Sequence, residues 1–140
     1  MILHCNFEEI QALKAGGRSF LNGGAEGSPR VPAPAESRAL VEALLPRFVG
    51  DVDVESLADA RLLRVAVADI VDHLRSEMEA LVVDSHAADE SAVAGYFDFA
   101  HALSISHRLD VLVAEMEALV ELLTGEPADD EAALAFRFPD

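Results

Sequence analysis

Four side chains in this sequence have the types and spacing that chemistry requires. Asp98 and His101 stand three residues apart, and His73 and Glu77 stand four apart. On a helix both spacings put the two groups on one face, because each residue advances the helix by about 100°. A carboxylate and an imidazole on each of two neighbouring helices could supply oxygen and nitrogen ligands to one divalent cation. The same groups could instead satisfy one another as buried polar pairs.

Other catalytic signatures are missing from the sequence. It has no Gly-x-x-x-x-Gly-Lys-Ser/Thr, Gly-x-Ser-x-Gly or His-Glu-x-x-His segment, and its single Cys5 cannot form a Cys-x-x-Cys pair. Ser106 and His107 are adjacent, but neighbours on a helix point apart. No catalytic residue is assigned, and no cofactor is expected beyond the divalent metal of the ligand reading.

The helices that must position these groups are marked by a hexapeptide that occurs twice. Glu-Met-Glu-Ala-Leu-Val stands at 77–82 and again at 115–120, and Asp72 and Leu74 reappear in register as Asp110 and Leu112. The spacing predicts one helix from Ser56 to Val83, with Leu63, Val67, Ile70, Val71, Leu74, Met78 and Leu81 on its apolar line. A second runs from Asp89 to Leu123 and stops at Thr124-Gly125-Glu126-Pro127. Two such helices joined near His86 should fold back as an antiparallel hairpin. Met78 and Leu81 would then occupy places like those of Met116 and Leu119.

On the later helix, Ile105, Leu109, Leu112, Met116, Leu119 and Leu123 line one side, and Asp110, Ala114, Glu117 and Glu121 the other. Continued backward, the apolar line meets His101 and Asp98, a polar pair where a core helix should be apolar. Tyr96, Phe97, Phe99 and Leu103 surround the helix at that point. Pattern violations of this kind concentrate at functional or interface sites. Folding the hairpin near residue 86 puts His73 level with Asp98 to His101. The wheel places His73 about 100° off the apolar line, so it can face a site only if a further helix or subunit packs on that flank.

Earlier in the chain, Asn6 and Glu9 form a capping-box pair, and a first helix is expected to continue through Gly16-Gly17. Residues 23–35 hold three Gly and three Pro and read as a flexible loop. A further helix carries Leu40, Val41, Leu44, Leu45 and Phe48, and Pro46 should end or kink it. Residues 127–140 form a tail with a short helical turn. Its Phe136 and Phe138, like Ile2 and Leu3, have extended spacing, and the two pieces are expected to lie on the bundle, with a short ribbon between them, within a chain or between chains, as the alternative.

Composition narrows the class. The 140 residues carry a net charge of −16 and no Trp. Residues 1–70 hold seven basic and ten acidic side chains, and residues 71–140 hold three and sixteen, so the second half contributes −13. Such a surface repels phosphate backbones, which excludes nucleic acid and anionic membranes as partners and suits a basic protein partner. No apolar run reaches the roughly 18 residues that cross a bilayer. One cysteine suits a reducing compartment, so the cytoplasm is expected. Nine Arg against one Lys points to a GC-rich, bacterial coding sequence.

The sequence therefore reads as a single all-α domain over residues 1–140, a four-helix bundle built on a long antiparallel hairpin. The apolar surface around Tyr96, Phe97, Phe99 and Leu103 predicts a homodimer. The expected role is a non-enzymatic bacterial interaction or assembly module. The alternative is a metal- or small-ligand-binding bundle using Asp98 and His101 with His73 and Glu77.

Overall fold

The first helix starts where the sequence provides partners for its free amide groups. In the computed structural model, which describes residues 1–23, 33–85 and 90–138, Asn6 Oδ1 accepts from the Glu9 amide at 2.8 Å. The Glu9 carboxylate accepts from the Asn6 amide at 2.9 Å, which completes the capping box. Helix α1 then spans Phe7–Leu21 without a break at its two glycines. A Cβ at Gly16 would lie 2.7 Å from Leu74 Cδ1 and 2.9 Å from Ile70 Cγ2. The glycines are there for close approach of neighbouring side chains, and the helix tolerates them because both are buried by packing.

Helix α2 covers Ala35–Leu44 and gives way at Pro46 to a 3-10 turn over Leu45–Arg47. Pro46 lacks the amide that another α-turn would need. Helix α3, Leu57–Ser85, begins with Ser56 Oγ accepting from the Asp59 amide at 3.1 Å. The Asp59 carboxylate takes two hydrogen bonds from Arg47, at 2.6 and 2.9 Å. Helix α4 spans Glu90–Thr124 and ends at Gly125, whose φ of +73° favours glycine. Helix α5, Asp130–Ala135, is capped by Asp129.

Helices α3 and α4 pack along each other in opposite directions. Arg61, near the start of α3, reaches Glu117 at 3.3 Å, whereas Arg75 lies over the Phe99 ring, 5.5 Å from its centre. The fold is thus the all-α bundle with a long antiparallel hairpin that the spacing predicts. The turn expected near His86 and most of the loop expected over 23–35 fall at 86–89 and 24–32, outside the described residues. Between the two helices Leu63, Val67, Ile70, Ile105, Leu109 and Met116 are almost fully buried. Leu13 of α1 and Val41 of α2 join the same apolar cluster. Among the described residues no helix is long and apolar enough to cross a membrane.

Two sequence expectations are corrected. The extended pieces at the two ends do not pair with each other; both pair with the segment before α3. Strand β1 (Ile2–Leu3) runs antiparallel to β2 (Val52–Asp53), and the Phe138 amide donates to Glu55 O at 2.8 Å. The signal was present as the alternation Val52-Asp53-Val54-Glu55, with both valines buried and both acids exposed. The two hexapeptide copies also present different faces. Met116 is fully buried and Met78 only half-buried, while Glu77 is turned inward and Glu115 is exposed. Different surroundings explain this: α1 lies on the flank of α3 that holds Glu77, where Ser19 reaches its carboxylate, whereas Glu115 faces solvent.

Candidate functional site

The condition for His73 to face a site is met, because α1 packs on its flank. His73 is buried, with 8% of its side chain exposed, and its Nε2 stands 2.7 Å from Glu77 Oε1. Ser19 Oγ from α1 lies 2.9 Å from the same nitrogen and donates a very short hydrogen bond to the same carboxylate oxygen. The Phe20 ring meets the imidazole edge-on, with centroids 5.8 Å apart. Three polar atoms from two helices therefore converge inside an apolar surround.

The geometry limits what this triangle can do. A hydroxyl activated as a nucleophile needs the imidazole to accept its proton at one nitrogen while the carboxylate holds the other. Here the hydroxyl and the carboxylate both lie against Nε2, and the hydroxyl proton points to the carboxylate. The arrangement ties α1 to α3 and satisfies the polar groups that the helix contact buries. Ser19 was not singled out in the sequence, since nothing local reveals which residue of α1 will face residue 73.

Asp98 and His101 form a separate locus. Arg75 over Phe99 sets the height at which the helices meet and puts His73 near the level of His101, as the hairpin register requires. The azimuths differ, for His73 faces α1. Asp98 and His101 are half-buried. Burial raises the Asp98 carboxyl above the usual carboxylate range, and the nearby His101 opposes that rise. Among the described residues no group of three or more His, Cys, Asp or Glu side chains is placed to hold a metal ion.

The four aromatic and aliphatic residues expected at an interface divide into two pairs. Tyr96 and Phe97 are 56% and 55% exposed and meet edge to face, with ring centroids 5.9 Å apart. Phe99 and Leu103 turn inward and pack against the core cluster. The exposed pair belongs to a longer feature. Val93, Phe97, Val111, Ala118 and Leu122 are all exposed, with Ala100 and Ser104 half-buried between them. They recur at spacings of three, four and seven, and lie roughly 110° to 170° around the helix from the mean direction of Ile105, Leu109, Met116 and Val120. Helix α4 is thus apolar on two opposite sides, one buried in the core and one facing outward. A heptad count along the helix would have found this stripe in the sequence.

A depression of about 520 Å³ lies beside the start of α3, lined by Arg47, Asp53, Glu55, Asp59 and Arg137 among others. Its arginines are engaged by carboxylates of its own wall, Arg47 with Asp59 at 2.6 Å and Arg137 with Glu55 at 3.9 Å.

No protein-family model, curated protein or solved structure matches this chain. Function is therefore argued from its own surfaces and side chains.

Proposed function

We propose that this chain is a non-enzymatic helical interaction module of the bacterial cytoplasm that assembles as a homodimer through the outer face of α4. The observation that carries the reading is the second apolar side of that helix. A helix exposed to water on one side is normally polar there, and a helix apolar all round is normally buried all round. The outer side of α4 exposes Phe97 at 55%, Val111 at 59% and Leu122 at 78%. Covering such a stripe with the same stripe of a second copy is the commonest solution in soluble proteins. The acid-rich second half gives the assembly a surface suited to a basic protein partner and unsuited to nucleic acid. The cytoplasmic and bacterial parts of the reading rest on the single cysteine and the Arg-for-Lys bias.

Light scattering coupled to size-exclusion chromatography tests it. The expected mass is twice the 15.0 kDa of the protomer, and Phe97→Asp and Val111→Asp should each return the protein to the protomer mass. A wild-type chain that elutes as a monomer overturns the reading.

A second reading, a bundle that binds a divalent metal or small ligand through Asp98 and His101, with His73 and Glu77 as further candidates, is supported by the half-buried position of Asp98 and His101 on the helix. Native mass spectrometry before and after a chelator checks it. A stoichiometric bound mass lost in His101→Ala supports the second reading, and a mass unchanged by the chelator removes it.

A further inference from the structure

The geometry points to an antiparallel pairing of α4 with α4 of a second copy, about a two-fold axis passing close to His107. This deepens the homodimer reading and rests on it.

The order of side-chain sizes along the stripe is the first support. In an antiparallel pair centred near residue 107, Phe97 of one copy meets Ala118 of the other, Ser104 meets Val111, and Ala100 meets Ala114. Phe97 thus faces one of the smallest side chains of the stripe and Val111 faces Ser104, and only at the two ends do larger side chains, Val93 and Leu122, meet, so the two backbones can keep one separation from Phe97 to Ala118. A parallel pair would stack Phe97 on Phe97 at one end and Ala118 on Ala118 at the other. The first contact would force the helices apart where the second needs them close, leaving voids that packed interfaces do not tolerate.

Charge is the second and independent support. Asp98 is the only Asp, Glu, Lys or Arg between Val93 and Ser104, and it lies on the inward side of the helix, about 140° from Val111. Beyond His107 the helix carries Asp110, Glu115, Glu117 and Glu121, with Glu115 about 40° from the line of the stripe. A parallel pair would set Glu115 against Glu115 of the second copy, a like-charge contact that disfavours that partner orientation. The antiparallel pair sets it beside Ala100, so each acidic half faces an uncharged half. Arg108, the one cation on this part of α4, is already engaged by Glu9 and by the His4 carbonyl.

Cysteine cross-linking of the full chain distinguishes the orientations. In a Cys5→Ser background, Phe97→Cys and Ala118→Cys are made separately and oxidised alone and as an equimolar mixture. Antiparallel pairing separates like positions by about 32 Å, far beyond the roughly 7 Å limit on Cα separation for a disulfide. Neither variant alone should cross-link, and the mixture should give a disulfide-linked dimer as its main new band. The pair Ala100→Cys and Ala114→Cys repeats the test with every large side chain of the stripe kept. Cross-linking of any one of these variants with itself shows a parallel pair and overturns the inference while leaving the homodimer standing. Mixtures that stay uncross-linked in a protein that light scattering shows to be dimeric also overturn it, by placing the contact elsewhere. A monomeric wild-type chain removes both the inference and the reading beneath it.

Discussion

His73 and Glu77 are joined through one atom of each, Nε2 to Oε1 at 2.7 Å, and Ser19 of the neighbouring helix is hydrogen-bonded to both of those atoms. The carboxylate oxygen is the common acceptor of the cluster. Because the imidazole is buried, losing that acceptor removes a hydrogen-bond partner from both Ser19 and His73.

Glu77→Ala should therefore cost about 1–3 kcal/mol, the usual range for removing a charged acceptor shared by buried donors. Ser19→Ala removes one donor and leaves the His73–Glu77 contact in place, so about 1 kcal/mol or less is expected. Urea denaturation midpoints of the two variants measure the difference. Equal losses would refute the carboxylate as the centre of the cluster.

Glu9 gives a second stability test. Its side chain is only 4% exposed and pairs with Arg108 of α4, while its other carboxylate oxygen completes the α1 capping box. Arg108→Met leaves that carboxylate buried without its cation. Breaking a buried pair from one side costs about 3–5 kcal/mol, and the partial exposure of Arg108 lowers the expectation to about 2–3 kcal/mol. Adding Glu9→Gln to Arg108→Met should recover part of the loss in a double-mutant cycle. A cycle with no coupling contradicts the pairing.

The two glycines of α1 should respond differently to alanine. At Gly16 the new Cβ meets buried Ile70 and Leu74 from two sides, at 2.9 and 2.7 Å. Overpacking of about 1–3 kcal/mol then exceeds the roughly 1 kcal/mol gained in helix propensity. At Gly17 the three atoms nearest the Cβ all belong to Leu45, the closest at 2.8 Å, and Leu45 is a half-buried, flexible side chain. Gly17→Ala should lie close to neutral. Thermal melts that rank the pair the other way would show that α1 sits differently on α3.

Asp69 predicts a pH effect. Burial raises its carboxyl above the usual range, repulsion from Asp72 adds to this, and a hydrogen bond from Ser37 opposes it. Its Oδ2 is buried and has no hydrogen-bond partner among the described residues. A carboxyl raised in the folded state holds its proton there at pH values where the unfolded chain has released it. This group's share of stability therefore falls as pH rises from the ordinary carboxylate range through the raised value. Asp69→Asn should be more stable than wild type at neutral pH, with the gain vanishing at pH values below that range. Denaturation midpoints measured across this span check the sign, and a gain that grows toward acid would contradict it.

Local signals account for what was legible in the sequence. The Asn6–Glu9 capping box, the stop at Gly125 and the periodic lines of α3 and α4 each depend on residues a few positions apart, so helix bounds and the hairpin followed from spacing. Ser19, by contrast, meets His73 across 54 residues, and only the packing of α1 determines that meeting. The same reason hid the pairing of β1 with β2: Ile2 and Leu3 read as extended, but nothing local says that Val52 and Asp53, some fifty residues on, lie beside them. The inward turn of Phe99 and Leu103 was hidden because helical angle alone does not say which flanks neighbouring helices cover. Phe97 was legible as exposed, but the stripe it belongs to emerges only when the outward side of α4 is followed as closely as the core side.

The short segment from Val52 to Ser56 sets the order in which the molecule can be put together. Val54 exchanges hydrogen bonds with Met1, at 2.8 and 3.0 Å, and Glu55 accepts from Phe138 across more than eighty residues. Each of these contacts closes a long loop for the return of one or two bonds, whereas the helical hairpin grows from neighbours. The helices should therefore form first, with this stitch the last part to close and the first to come undone. Hydrogen exchange would then show the Val54 and Phe138 amides opening together, well before the amides at the centre of α3.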